Sequence, residues 1–433
     1  MGFTRKRKFR RWPEGALAVL LALALPLLGT VGGCGEGNQS GDLAAEQHGD
    51  LSNPPAAHGD GYAEIAAACE VAAGGAVPPA SGETQLRRRP YVQQVTDRSA
   101  RLLWTAAATA ESTAAISDPS GTVVAEVEAI PDESVAVRNG VAQYLAPIEG
   151  LQPGTVYCYE IRSGQAVWSR SGFRTAPAPG SGQPVRFVAF GDSGSGDADQ
   201  RAMLDQMRTV PFDLLVHTGD LAYDDGTRAQ FEANVFSVYA DVFQAFPFYP
   251  ASGNHEYNSE GAAPFREAFS LPENGGRDGR ERWYSFDWGD VHFVALDTER
   301  IGPAQAAWLE ADLAKNRLPW TVVYGHRPPL SSGEHGGDAG FQQHFVPVIE
   351  RHGVQLVLSG HDHNYERTRT LNGVTYVVTG GGGKGTRPVG KSPFTAFSEA
   401  VIHFVYVEIS GNTLILHAID GQGQEFDSVR IDR

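Results

Sequence analysis

Cysteine is scarce, with three in 433 residues, so at most one intramolecular disulfide is possible and a scaffold held by several is excluded. No apolar run reaches the roughly 20 residues that a membrane-spanning helix needs; the run at 16–28 falls short of it. Positive charge is in deficit, the formal net charge being −16. Such a surface repels nucleic-acid backbones and argues against a polymeric nucleic acid as substrate. No segment repeats. The glycine-rich stretch Gly380-Gly381-Gly382-Gly383-Lys384-Gly385 has no Ser or Thr after its lysine, so it is no Walker loop and reads as a turn flanking the candidate site set out below.

What is present suits a soluble chain with a substantial core: 41% hydrophobic and 10% aromatic residues, in a length that exceeds one ordinary domain. Residues 1–33 read as an export signal, with a basic start from Arg5 to Arg11, the apolar run, then small residues. Val31-Gly32-Gly33-Cys34 resembles a bacterial lipobox, which implies a lipidated Cys34 and a membrane tether. The protein is then expected at the cell surface, in the periplasm or secreted. Cys69 and Cys158 remain, as a disulfide or as two free thiols; spacing does not decide between them.

Residues 34–84, rich in Gly, Ala, Pro, Ser and acidic residues, read as a disordered tether with a short helix near 62–71. From 85 to 177 short period-two strands alternate with turns, as at 100–105 and 155–161. Leu151-Gln152-Pro153-Gly154-Thr155 and Phe173-Arg174-Thr175 resemble a fibronectin type III-like β-sandwich, with Trp104 in its core. Residues 185–433 then alternate apolar strands (185–190, 214–217, 291–296, 321–324, 354–358 and 375–379) with amphipathic helices (199–208, 229–243, 303–316 and 341–351). That pattern predicts a layered α/β domain, closed by a hairpin at 401–419.

Five polar motifs carry the chemistry: Gly191-Asp192-Ser193-Gly194, Gly219-Asp220-Leu221-Ala222-Tyr223, Gly253-Asn254-His255-Glu256, Val323-Tyr324-Gly325-His326 and Gly360-His361-Asp362-His363. Most follow a predicted strand, where ligands of open α/β sheets gather. Hard carboxylate oxygens mixed with imidazoles suit Fe, Mn or Zn rather than Ca.

The set resembles that of the purple acid phosphatases within the calcineurin-like metallophosphoesterases, including the preceding fibronectin-like domain of the plant-type branch. The resemblance implies a four-layer α/β/β/α sandwich and two metal ions. One ion would be held by Asp192, Asp220, Tyr223 and His363, the other by Asp220, Asn254, His326 and His361, with Asp220 bridging. Tyr223 takes the place of the histidine that most metallophosphoesterases carry two residues after the first aspartate, where this chain has Gly194. A tyrosinate calls for Fe(III) at the first site; Fe, Zn or Mn would occupy the second. The implied reaction is hydrolysis of small phosphate monoesters by hydroxide acidified at the metals, with His255 protonating the leaving group and His335 contacting phosphate or leaving group. A phosphodiester, nucleotide or phytate-like substrate on the same centre is the alternative, and a surface adhesion module with a vestigial centre is a third reading. His217, Glu256, Asp362 and Arg367 are expected to brace ligands, whereas His292, His344, His352, His403 and His417 are expected to pack or face solvent.

Overall fold

The computed structural model describes residues 61–69 and 86–433. The segment 1–33 expected to be an export signal, Cys34, and most of the expected 34–84 tether lie outside the described residues. Within the tether a helix does form, over Gly61–Ala68. It buries Ile65 and Ala66, pairs Glu64 with Arg174, and ends at Cys69, which is disulfide-bonded to Cys158. The two thiols are therefore paired, which points to an oxidising compartment.

Eight strands follow: β1 (Leu86–Gln93), β2 (Ser99–Ala107), β3 (Thr113–Ser117), β4 (Val123–Glu128), β5 (Ile130–Pro131), β6 (Val141–Glu149), β7 (Val156–Ser163) and β8 (Ala166–Arg174). They form two antiparallel sheets, ordered β1-β2-β6-β5 and β4-β3-β7-β8. Along β7 the buried Tyr157, Tyr159 and Ile161 alternate with partly exposed neighbours, as a strand with one face on a core requires. Trp104 is fully buried and stacks on Tyr144 at 6.3 Å, so its ring is core.

The second part contains β9 (Val185–Phe190), β10 (Leu214–His217), β11 (Phe248–Pro250), β12 (Tyr284–Trp288), β13 (Val291–Ala295), β14 (Trp320–Tyr324), β15 (Leu356–Ser359), β16 (Tyr365–Thr368), β17 (Thr375–Thr379), β18 (Thr395–Glu399), β19 (His403–Ser410), β20 (Thr413–Asp420) and β21 (Glu425–Asp432). One sheet runs β11-β10-β9-β19-β20-β21, the other β12-β13-β14-β15-β17-β16-β18. Strands β9, β10 and β11 are mutually parallel, as are β13, β14, β15 and β17. Being covered on both faces, these strands read as near-continuous apolar runs. The sheets meet face to face, Phe187 packing edge-on against Phe293 at 5.2 Å.

Helices close the outer faces and complete four layers. Ala198–Met207 is capped by Asp197, whose side chain accepts from the N–H groups of Asp199 and Gln200. It packs Met203, Leu204 and Met207 into the core. On the other side Pro303–Lys315 contributes Leu309 and Leu313, beside Phe341 and Ile349.

Two helices differ from expectation. The stretch 229–243 is broken into Arg228–Gln230, a π-helical turn Phe231–Phe236 and Ala240–Ala245. The wide turn carries Asn234, whose Nδ2 donates to the carbonyls of Gly194 and Tyr223 at 3.0 and 3.1 Å; π-turns of this kind recur at functional sites. The stretch 341–351 divides into Ala339–His344 and Val346–Arg351, because Pro347 lacks the N–H that would continue the first helix. The sandwich seats on the α/β part through Tyr91 Oη, which donates to the Ala268 carbonyl at 2.8 Å, and Gln93 Nε2, which donates to the Phe248 carbonyl at 3.0 Å.

Candidate metal centre

Asp192 follows β9, Asp220 and Tyr223 follow β10, Asn254 follows β11, His326 follows β14, and His361 and His363 follow β15. Parallel strands deliver all of these loops to one edge of the two sheets. Three of the residues bend in a way L-residues resist: Asp192 (φ 57), Asp220 (φ 55) and His361 (φ 72) are left-handed. Such strain persists only where the surroundings over-determine it, and it concentrates at functional sites. Two glycines are required by proximity. A Cβ on Gly253 would stand 2.2 Å from Asp220 Oδ1, and one on Gly360 would stand 2.4 Å from Asp192 Oδ2.

All seven candidate ligands converge. Tyr223 Oη lies 3.1 Å from Asp192 Oδ1, 3.2 Å from Asp220 Oδ2 and 3.2 Å from His363 Nε2. On the other side of Asp220, His326 Nε2 lies 3.2 Å from the same Oδ2, 3.1 Å from Asn254 Oδ1 and 3.2 Å from His361 Nδ1. Among the described residues, Asp220, His326 and His361 bring ligand atoms within 4.8 Å of one another.

The donor chemistry fits cations. His326 Nδ1 donates to the Thr218 carbonyl at 3.0 Å, so the Nε2 lone pair faces a carboxylate and an amide oxygen. Only a proton or a metal reconciles those three atoms. The protein alone answers with a proton: burial opposes charge on His326, but Asp220 and Asp192 outweigh it and raise its pKa to about 10. Burial instead lowers His361 to about 2 and His363 to about 3, keeping both imidazoles neutral and available as ligands. The two carboxylates separate. Burial pushes Asp192 up, while for Asp220 burial is outweighed by His326 and the pKa falls. Burial, then Asp192 and Asp220, push the Tyr223 phenol well above its ordinary value.

The bracing residues are specific. Glu256 accepts the N–H groups of Gly253, Asp220, Leu221 and Ala222 at 2.8–3.2 Å, so one carboxylate holds two ligand loops. His217 accepts from the Gly219 N–H at 3.1 Å and donates through Nε2 to Ser193 Oγ at 2.9 Å. Burial lowers its pKa to about 3, consistent with a neutral strut. Arg367 does not brace a ligand. Its guanidinium pairs with Asp427 at 2.7 and 2.9 Å, because β16 turns it toward β21. Asp362 supports the loop carrying His335 instead of its ligand neighbours, accepting from Ser331 Oγ and from the His335 N–H.

His255 packs its ring 4.4 Å from that of Tyr223, donates through Nδ1 to the Asp224 carbonyl, and holds Nε2 3.7 Å from Asp220 Oδ2. His335 stacks on His361 at 4.2 Å, while its Nε2 accepts from Arg387. Three cations at this mouth escape motif reading. Arg327 Nη1 is 3.2 Å from His361 Nε2, Lys384 lies over the Tyr223 ring at 4.8 Å, and Arg387 bonds to His335. Lys384 belongs to the 380–385 turn that the sequence places beside the site, but its charge and that of Arg387 carry no motif of their own. Among the discounted histidines, His292 is held between Asp287 and Asp312, and His403 between the Val401 carbonyl and Thr379.

Residues 185–365 match the family model of calcineurin-like phosphoesterase. The chain is 29% identical over 262 residues to human acid phosphatase type 7, covering 53% of this chain and 58% of that one. It is 26% identical over 317 residues to an Arabidopsis thaliana protein named probable inactive purple acid phosphatase 1, covering 59% and 51%. It spans about half the length of the curated relatives it matches. A purple acid phosphatase from yellow lupin seeds shares the fold, with a TM-score of 0.70 at 22% identity over 79% of this chain and 74% of the other.

Proposed function

We propose that the chain is a working two-metal phosphatase of the purple acid phosphatase kind, acting on small phosphate monoesters. The observation that carries this reading is Asp220 Oδ2, 3.2 Å from Tyr223 Oη on one side and 3.2 Å from His326 Nε2 on the other. One carboxylate oxygen shared by two clusters is what a bridged pair of cations needs. Asp192, Asp220, Tyr223 and His363 would hold the first ion, and Asp220, Asn254, His326 and His361 the second. Bound there, the two ions would neutralise phosphoryl charge and acidify a water molecule. A tyrosine ionises near pH 10 in water, so a phenolate ligand calls for a strongly Lewis-acidic ion, which favours Fe(III) at the first site and leaves Fe, Zn or Mn for the second.

The chain's own residues do the rest. His255 aims Nε2 at the mouth with its ring fixed by the Asp224 carbonyl, a position from which it would protonate a departing alkoxide. His335, with Nε2 occupied by Arg387, would present Nδ1–H to the phosphate or leaving group. Residues 85–177 would serve as the fibronectin-like domain and 185–433 as the catalytic one. The disulfide supports export, which the signal at 1–33 and a lipidated Cys34 would effect.

The test is to purify the protein, load it with iron and with zinc or manganese, and assay p-nitrophenyl phosphate against its bis-ester. We expect turnover favouring the monoester, and a visible tyrosinate–iron band that is lost in Tyr223→Phe. Faster turnover of the diester would shift the reading to phosphodiesters. A loaded protein that hydrolyses neither would leave a vestigial centre, as the name of the Arabidopsis relative records for that protein.

A further inference from the structure

The loop that leaves β17 is bonded to both ligand segments by its main chain. Gly382 N–H donates to the Gly191 carbonyl at 2.9 Å, Lys384 N–H to the Asp192 carbonyl at 2.9 Å, and Arg387 N–H to the His363 carbonyl at 2.8 Å. The loop therefore moves with the metal centre. Its two cations flank the mouth. Lys384 lies on the Tyr223 and His255 side, with Nζ over the Tyr223 ring. Arg387 lies on the His335 and His361 side, donating to His335 Nε2 and, at 3.5 Å, to the His361 carbonyl.

Both cations face solvent-exposed carboxylates, although Lys384 Nζ bonds to Asp224 Oδ1 at 2.7 Å. Lys384 pairs with Asp224, whose side chain is 73% exposed, and Arg387 approaches Glu334, 66% exposed, no closer than 3.9 Å. Solvent-screened pairs of this kind are worth little and exchange readily for a better anion. The chain as a whole is acidic, with a formal net charge of −16, and lysine is rare in it. Two cations placed at the one mouth, on a loop bonded to the ligands, are not what the average surface would supply. Lys384 lies over the ring of Tyr223 and Arg387 is bonded to the main chain of His363, so both cations border candidate ligands of the same ion.

We infer that Lys384 and Arg387 form a second anion subsite beside the metal centre, selecting phosphate esters whose leaving group carries a further phosphoryl group. The inference rests on the phosphatase reading and names its substrate class. Arg387 supplies a planar fork of donors suited to phosphate oxygens, and Lys384 supplies a point charge from the opposite wall. Pre-ordering of both by the loop lowers the entropy lost when such a ligand docks.

The test compares binding of methylenediphosphonate and inorganic phosphate to the metal-loaded protein by calorimetry, with p-nitrophenyl phosphate turnover measured on the same samples. Charge-assisted hydrogen bonds predict that Arg387→Ala and Lys384→Ala each cut the diphosphonate-to-phosphate affinity ratio by roughly tenfold. Arg387→Lys should restore part of it, which a merely structural role would not do. A ratio that stays the same across wild type and variants overturns the subsite, whatever the turnover. A ratio that falls as expected in a wild-type background with no turnover supports the subsite and rejects the hydrolase reading instead.

Discussion

Asp362 Oδ1 accepts the backbone N–H of His335 at 3.0 Å. A carboxylate lying between two candidate ligands thereby anchors the loop that lays a histidine on one of them. Ser332 repeats the arrangement one turn of chain away, donating its N–H and Oγ–H to Glu366 at 2.6 and 2.7 Å. The His335 loop is thus tied to the ligand segment by buried carboxylates.

Removing the first tie should loosen His335 without touching a metal donor. Asp362→Ala is expected to raise KM for p-nitrophenyl phosphate about fivefold, near the net value of one hydrogen bond, with metal content held. Steady-state kinetics alongside metal analysis checks this. Loss of metal in step with activity would show that Asp362 supports the centre itself.

Glu256 offers a sharper effect, because its two oxygens accept four N–H groups from the Asp220 and Gly253 turns. Glu256→Gln replaces one of those oxygens with a donor facing donors. Metal affinity should fall roughly 10- to 100-fold, the usual cost of losing a residue that orients ligands. Competition with a chelator measures it, and an affinity within error of wild type would refute the bracing role.

Away from the centre, His292 sits between Asp287 at 2.7 Å and Asp312 at 2.9 Å. Burial opposes its charge, but hydrogen bonds to the two carboxylates outweigh this and raise its pKa to about 9. A raised folded pKa stabilises fully below the ordinary value near 6.5 and is lost as pH climbs through about 9. Thermal melts of wild type and His292→Gln should therefore differ most at pH 6 and converge above pH 9. A gap independent of pH would mean that packing, not charge, is responsible.

The Cys69–Cys158 bond closes 89 residues of chain. By the chain-entropy account, losing a bond across such a loop costs about 4.6 kcal/mol. Reductant should lower the denaturant midpoint of wild type toward that of the Cys69→Ser, Cys158→Ser double variant, and leave the variant unmoved. Equal sensitivity in both would place the effect elsewhere.

Legibility divides along physical lines. Strands β9, β10 and β17 match their expected limits because a strand covered on both faces must be apolar throughout, which one sequence shows locally. Strands β12, β16 and β18 went unread, since edge and antiparallel strands with mixed burial look like loops. The expected helix over 229–243 fails where Asn234 is drawn to two carbonyls, an attraction between segments far apart in the chain. Arg367 shows the same limit in reverse: it lies near His363 in sequence, yet Asp427 claims it.

Residue types and spacing by themselves determined the strand-then-helix alternation, the glycine-flanked turns and the list of donor side chains, because each depends on neighbours along the chain. The three-dimensional packing alone decided that Asp220 stands between two clusters, that His335 lies on His361, and that Lys384 and Arg387 reach the same mouth. Those relations join residues as far apart as Tyr223 and His363, 140 positions along the chain. Such distances are bridged only when two sheets stack and several loops meet at one edge.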